Sequence, residues 1–299
     1  MRVFVTGASG FVGKAVTKEL LAAGHTVLGL ARSDESADVI ASLGAGVHRG
    51  SLTDLSALKA GAASCDGVIH LAFLHDFASF AASAEIDRNA INALADALAG
   101  SNRPLLVTSG TLLVPRGRVA TEEAVYDPNS SVLAVRGESE ELTKRLASKN
   151  VRTAVVRLAP VIHGDGDVMF MHMLITNARE KGVSAYVGDG LNRWPATHVL
   201  DAAAAYRLAV EKAPAGSMLH AVAEEGVQLK DIATIIGKKL GVPVESKTAD
   251  KASEHFGMLA EVVGADNPVS SAKTREVLGW SPKQRGLLDD LENGKYFSG

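Results

Sequence analysis

The sequence predicts an α/β protein: a doubly wound parallel sheet with a smaller C-terminal lobe. Three observations carry that prediction. Short apolar runs alternate with amphipathic helical patterns from Val3 to Lys149, as βαβ units do. A glycine-rich turn, TGASGFVG, joins the first apolar run to the first helical one. After Pro160 the alternation breaks, which is where a second unit begins.

Taken in order, the expected strands are Val3–Val5, Thr26–Leu30, Val47–His48, Gly67–Leu71, Leu105–Thr108 and Thr153–Leu158. They are short and apolar throughout, as in a parallel sheet covered by helices on both faces. The expected helices between them are Val12–Ala23, Ser36–Leu43, Leu55–Ala60, Phe77–Gly100 and Val132–Lys149. Right-handed crossovers place these helices on the two faces of one sheet. Beyond Pro160 come the loop VIHGDGD and a helix over Met169–Lys181. A glycine-rich segment, SAYVGDGLNRWPATH, follows, then a helix over Leu200–Glu211 and a late strand over Ser217–Val222. The tail holds helices over Leu229–Leu240, Ala252–Ala260 and Ala272–Leu278. The expected division is a dinucleotide-binding domain of residues 1–165 plus about 195–225, and a substrate lobe of about 166–194 and 226–299. No flexible linker separates them, so they should pack closely.

The chain has 299 residues, 31 basic and 34 acidic, for a net charge of −3. That balance gives no reason to expect a nucleic-acid partner. Cys65 stands alone, which excludes a disulfide within the chain and suits a reducing compartment. No signal-peptide pattern precedes the first strand, and no apolar run approaches the ~18 residues of a membrane span. The expectation is a soluble cytoplasmic protein with a small-molecule substrate and no membrane partner. The histidines are scattered, without HExxH or CxxC spacing, so no metal site is expected. The loop HGDGD reads as a turn over the active site.

The strongest motif is the turn from Thr6 to Gly13, with glycines at 7, 10 and 13. The first lets the chain turn tightly, the second lets backbone approach a pyrophosphate, and the third lets helix pack on strand. Free N–H groups and the helix dipole then face the diphosphate. Gly7, Ser9, Gly10, Phe11 and Val12 are therefore candidate cofactor contacts. At the end of the second strand stand Arg32 and Ser33, with Asp34 late. An acidic residue there bonds the ribose 2′-hydroxyl of NAD, whereas an arginine accommodates the 2′-phosphate of NADP. NADP is the expected cofactor and NAD the weaker alternative.

The segments MRVFVTGASGFVG, RGSLTD, DGVIHLA, RPLLVTSG, VVRLAPVIHGDGD, HVLDAAAAY and LGWSP span most of the chain. Together they resemble the extended and atypical short-chain dehydrogenase/reductases, the NAD-dependent epimerase/dehydratase group, with a Rossmann-type sheet. That resemblance implies further roles. Ser51 and Leu52 would lie beside the adenine, although the family often has Asp where Ser51 stands. Leu71, Ala72 and Phe73 would line the cofactor. Thr108 would sit near the nicotinamide ribose, with Ser109 or Thr111 in the place of the catalytic Ser/Thr. Ala159, Pro160 and Val161 would border the nicotinamide, and Asn89 falls where the family has a helix asparagine. A homodimer through the helices flanking the fifth strand is also implied as possible.

One motif is missing. The family's Tyr-x-x-x-Lys should begin about 25 residues after the Ser/Thr, and there Arg136 and Glu140 stand. They have the i, i+4 spacing that shares a helix face. Arginine stays protonated and is a poor acid, and glutamate cannot replace a cationic ribose contact. His75, beside Asp76 at the carboxyl end of the fourth strand, is the best alternative proton donor. Arg136 could polarise a carbonyl or bind a carboxylate. The leading expectation is an NADP-dependent oxidoreductase that reduces a small ketone, aldehyde or imine with unusual proton delivery. The alternatives are an NADP-binding regulator or scaffold without catalysis and, less favoured, a sugar-nucleotide epimerase or dehydratase. Arg193, Trp194 and His198 are expected to close the pocket, with plain packing between the lobes as the alternative for Trp194, and His255, Phe256 and Met258 to reach it from the C-terminal lobe or pack in its core.

Overall fold

The computed structural model describes residues 1–76, 79–128 and 132–297, apart from the side chains of Val132, Leu133 and Met258. Phe77, expected to open the fourth helix, and the Met258 side chain lie outside the described residues.

Six strands of the large domain follow the expected order: β1 (Arg2–Thr6), β2 (Thr26–Ala31), β3 (Gly46–Arg49), β4 (Gly67–His70), β5 (Pro104–Gly110) and β6 (Arg152–Leu158). Two strands come later in other sheets, β7 (Val161–His163) and β8 (Ser184–Val187), as does β9 (Arg193–His198). Then β10 (Ser217–Ala221) returns to pair with β6. The result is a seven-stranded parallel sheet in the order β10-β6-β5-β4-β1-β2-β3. The helices are α1 (Phe11–Ala22), α2 (Asp34–Ser42), α3 (Leu55–Ala63), α4 (Phe80–Leu98), α5 (Gly137–Leu146), α6 (Phe170–Lys181), α7 (Val199–Lys212) and α8 (Leu229–Leu240).

Strand side chains alternate between faces, and each face has its own core. Val3 and Val5 of β1 join Val16 and Leu20 of α1, Ile40 of α2 and Tyr206 of α7. Phe4 points the other way, onto Leu58 of α3, Ile91 and Leu94 of α4 and Leu146 of α5. The same parity governs the site: Ser109 pairs in register with Arg157, and both face α5, whereas Thr108 faces α7.

In the smaller lobe, β11 (Glu224–Gln228), β9 and β7 form one sheet, and β12 (Val244–Lys247) pairs with β8. Its core gathers Met171, Leu174 and Ile175 of α6, Trp194, Ile232 and Ile236 of α8, and Leu287 and Leu291. One stretch departs from the expected division. Val269, Leu278 and Trp280, expected in the small lobe, pack in the core of the large domain. The Trp280 indole donates to the Asp201 carbonyl at 3.0 Å, and the Asp201 carboxylate accepts the amides of Lys283 and Gln284. The helix expected over Val132–Lys149 is also broken into a 3-10 turn ending at Arg136, α5, and a second 3-10 turn. The Tyr126 ring lies against Gly137, where a Cβ would come within 2.1 Å of it. Among the described residues, no helix is long and apolar enough to cross a membrane.

Candidate active site

A cavity of about 650 Å³ runs along the carboxyl edge of the sheet, where doubly wound sheets bind ligands. The glycine turn forms its middle. Gly7 has φ +72°, and a Cβ there would press on the Ala72 backbone at 2.9 Å. At Gly13 a Cβ would lie 1.9 Å from the Gly7 carbonyl oxygen, so only glycine lets α1 pack this close. No side chain caps α1, and Phe11, Val12 and Gly13 of its first turn line the cavity with Gly7, Ser9 and Gly10. The Gly10 amide donates to the Gly7 carbonyl at 3.0 Å, and the amides of Phe11, Val12 and Gly13 come before Lys14, the first to find an acceptor within the helix, at the positive end of its dipole. This cradle fits a dinucleotide diphosphate.

Toward the β2–β3 edge the wall carries Arg32, Ser36, Ser51 and Leu52. Asp34 is paired with Arg49 at 2.7 Å, while Arg32 has no ion pair among the described residues. Ser33 is not on the wall; its hydroxyl caps α2 by accepting the Ser36 amide at 3.2 Å.

After β4 the wall continues through Leu71, Ala72, Phe73, Leu74 and His75. A buried chain of hydrogen bonds fixes that turn. The Thr6 hydroxyl accepts the Ala72 amide and bonds His70 Nδ1 at 2.8 Å. His70 Nε2 meets Asp87 of α4 at 3.2 Å, and the Ser139 hydroxyl donates to the other Asp87 oxygen at 2.7 Å. Burial alone would raise the Asp87 pKa, but His70, Arg136 and Ser139 outweigh it and hold the carboxyl below its ordinary value. Neither His70 nor Asp87 was singled out in the sequence. Asn89, which was, is exposed.

Arg136 and Glu140 part company. Arg136 lines the cavity, its guanidinium 3.9 Å from the Phe73 ring centroid and donating to the Thr108 carbonyl at 2.9 Å. Its Nε has no partner among the described residues. Burial lowers its pKa against the pull of Asp87, Tyr206 and Glu140, and the guanidinium stays charged. Glu140 lies one turn deeper, away from the wall. It holds Arg157 bidentately at 2.9 and 2.6 Å and accepts the Ser109 hydroxyl at 2.6 Å. Arg157 reaches on to the Ala124 carbonyl and to His220. Arg157 was also missed, although an arginine inside the apolar strand TAVVRL signals a buried acidic partner.

Thr108, Ser109 and Thr111 all touch the cavity. The Thr108 hydroxyl bonds Tyr206 at 2.7 Å, and Thr111 is tied to Asn267 through its hydroxyl and its carbonyl. His75 is exposed at the mouth, its ring edge-on to Phe73 at 5.2 Å. Its surroundings lower its pKa by desolvation first and by the Arg136 charge second.

The far end, beyond β5 and β6, is walled by Leu112, Leu113, Pro160, Val168, Met169 and Phe170. Val161 is not part of it; its side chain joins the small-lobe core. Asp167 holds the loop by accepting the Met169 amide and the Tyr296 hydroxyl at 2.7 and 2.8 Å. The Tyr296 oxygen accepts the Gly164 amide, and Lys295 pairs with Asp165. The expected closure by Arg193, Trp194 and His198 is not what the structure places there. Arg193 grips Asp266 at 2.8 Å, Trp194 is buried with its indole on the Val262 carbonyl, and His198 stacks edge-on to His163. Phe256 belongs to the small-lobe core, and the His255 carbonyl accepts from Asn177.

Fold and cradle together define a dinucleotide-binding protein of the doubly wound type. The model of the NAD dependent epimerase/dehydratase family matches residues 3–221, and the chain belongs to that family, whose members bind NAD or NADP. An uncharacterised protein of Schizosaccharomyces pombe is 46% identical over 298 residues, covering 99% of this chain and 100% of that one. A 4-hydroxy-2-methyl-3-oxo-4-farnesyl-3,4-dihydroquinoline-1-oxide ketoreductase of Stigmatella aurantiaca is 27% identical over 279 residues, covering 86% of this chain and 80% of that one. Among solved structures, a nucleoside-diphosphate-sugar epimerase from Pseudomonas aeruginosa shares the fold, with a TM-score of 0.79 at 19% identity over 99% of this chain and 97% of that one.

Proposed function

We propose that the protein is an NADP-dependent oxidoreductase that reduces a small carbonyl compound. The observation that carries this reading is the split of the expected pair: Arg136 faces the cavity and Glu140 does not. Arg136 then takes the place of the family's lysine, and Val132, four residues earlier, stands where the tyrosine would be. The glycine turn would hold the diphosphate, Arg32, without an ion pair among the described residues, the 2′-phosphate, and Arg136 the nicotinamide ribose. The bound cofactor supplies a hydride. Arg136 stabilises negative charge as it develops on the carbonyl oxygen. His75 gives that oxygen a proton and recovers one from solvent at the cavity mouth, so a carbonyl becomes an alcohol as NADPH becomes NADP. A ketoreductase among the relatives supports this choice of reaction.

The test is NADPH oxidation against a panel of ketones, aldehydes and imines. Turnover that survives Arg136→Lys and is lost in Arg136→Met supports the assignment. Tight NADPH binding with no turnover anywhere would instead favour a protein that binds NADP without catalysis. What favours that second reading is Ser109, the hydroxyl in the catalytic place, committed to buried Glu140.

A further inference from the structure

We infer that the substrate is apolar and carries at most one negative charge, so that it is not a nucleoside-diphosphate sugar. This rests on the oxidoreductase reading and names the substrate class of that site. Strand order orients the cavity. Arg32 and Ser51 lie at the β2–β3 edge, the glycine turn follows β1, and the remaining wall follows β4, β5 and β6. A dinucleotide laid across the turn leaves the β5–β6 end for the second reactant.

That end is lined by Leu112, Leu113, Val168, Met169 and Phe170, with Phe73 and Phe80 on the β4 side. Val168 is 63% exposed, a large apolar side chain kept open to the cavity and its mouth. Phe170 is braced edge-on by buried Trp194, 5.6 Å away, and the loop before it is held by Asp167 and Tyr296. This wall is built and fixed; the hydroxyls beside it, on Thr108, Ser109 and Thr111, are committed to Tyr206, Glu140 and Asn267, which leaves its free chemistry apolar.

The charges agree. The arginines of the described cavity wall are Arg32 and Arg136, and no lysine lines it. Phe77, Ala78, Asn129, Ser130 and Ser131, outside the described residues, carry no charge in the sequence. Arg32 lies at the opposite end, and Arg136 already faces the ribose place. A second diphosphate at the β5–β6 end would be desolvated against leucine, methionine and phenylalanine with no cation of its own, and burying unpaired charge is costly. A ketone or aldehyde on an alkyl or aryl body meets no such cost.

The experiment is thermal unfolding of the full chain with saturating NADP+, titrated with phenyl ketones and 2-alkanones or with UDP-glucose. The expected result is a saturable rise in Tm with the ketones and none with UDP-glucose. Val168→Asp and Met169→Gln should reduce the ketone-dependent rise and leave the NADP+-dependent rise unchanged; Val168 is exposed enough for its variant to fold. A rise with UDP-glucose, or with neither ligand class while NADP+ still stabilises, overturns the inference. Ketone binding without NADPH consumption would instead sink the oxidoreductase reading and leave the ligand class standing.

Discussion

Glu140 and Arg157 face each other in the sheet–helix interface, joined by two hydrogen bonds of 2.9 and 2.6 Å and both buried. The carboxylate that the motif spacing places beside the cofactor therefore serves the interior. Removing one partner strands the other charge without water, a loss of roughly 3–5 kcal/mol for a buried pair. Arg157→Met should lower Tm and the urea midpoint severely. Glu140→Leu combined with Arg157→Met should recover much of that loss, because two apolar side chains leave no charge behind. A double variant no more stable than Arg157→Met would show that the pair is not what the interface depends on.

On the proposed NADP reading, Arg32 is the residue on which cofactor preference turns. Its replacement by alanine removes charge-assisted hydrogen bonds to a 2′-phosphate, worth about 1.5–3 kcal/mol. NADPH affinity should fall by about ten- to a hundredfold, while NADH affinity stays where it was. Fluorescence titration with both cofactors reads this directly, and equal losses for the two would refute the 2′-phosphate assignment.

On the proposed reading, His75 gives the activity a pH signature. Desolvation and Arg136 lower its pKa below the ordinary 6.5. A reaction that needs its protonated form is fastest below that lowered pKa, and kcat/KM falls as pH rises through it. The pKa of the His75 ring, followed by NMR, should rise in Arg136→Met, because a neighbouring positive charge is gone. His75→Gln should abolish the limb and cost roughly 10²–10⁴-fold in rate. A profile unchanged in His75→Gln would assign the proton to another group.

His220 gives the stability a different one. It is buried beside Arg157, with Nδ1 on the Ser270 carbonyl at 2.8 Å. Burial chiefly, with the Arg157 charge, pushes its pKa down to about 4 from 6.5, against the Ser270 hydrogen bond. Between those values the unfolded chain takes up a proton that the folded chain refuses. Its stability contribution is therefore complete above pH 6.5 and declines as pH falls toward about 4. The loss is on the order of a few kcal/mol. His220→Gln should flatten that part of the pH–stability curve, as measured by urea unfolding at pH 7.5 and 5.

The sheet and the cradle were legible because their signals are local. TGASGFVG lies between a strand and a helix in eight consecutive residues, and period-two alternation sorts Val3, Phe4 and Val5 onto their faces without further information. The catalytic region was harder to read because its partners are far apart in the chain. Arg136 and Glu140 have the spacing of one helix face, but a 3-10 turn ends at Arg136 and α5 begins at Gly137. Only tertiary contacts decide that one side chain goes outward and the other inward. Arg157 could have been suspected, since an arginine in an apolar strand needs a buried counter-charge. Nothing local ties Tyr296 to Asp167, 129 positions apart, or gives Trp194 to the small-lobe core rather than to the cavity.

The return of Val269, Leu278 and Trp280 to the large core, together with β10 beside β6, ties the order of folding to the order of the chain. A nascent polypeptide that has emerged only through residue 165 holds the whole glycine cradle but leaves β6 as a bare edge strand, with unpaired amides and carbonyls open to association. Its parallel partner β10 appears about fifty residues later, and Val269, Leu278 and Trp280 more than a hundred residues later, after most of the small lobe has been made. A contiguous fragment of the cofactor half therefore lacks a strand of its own sheet and part of its own core.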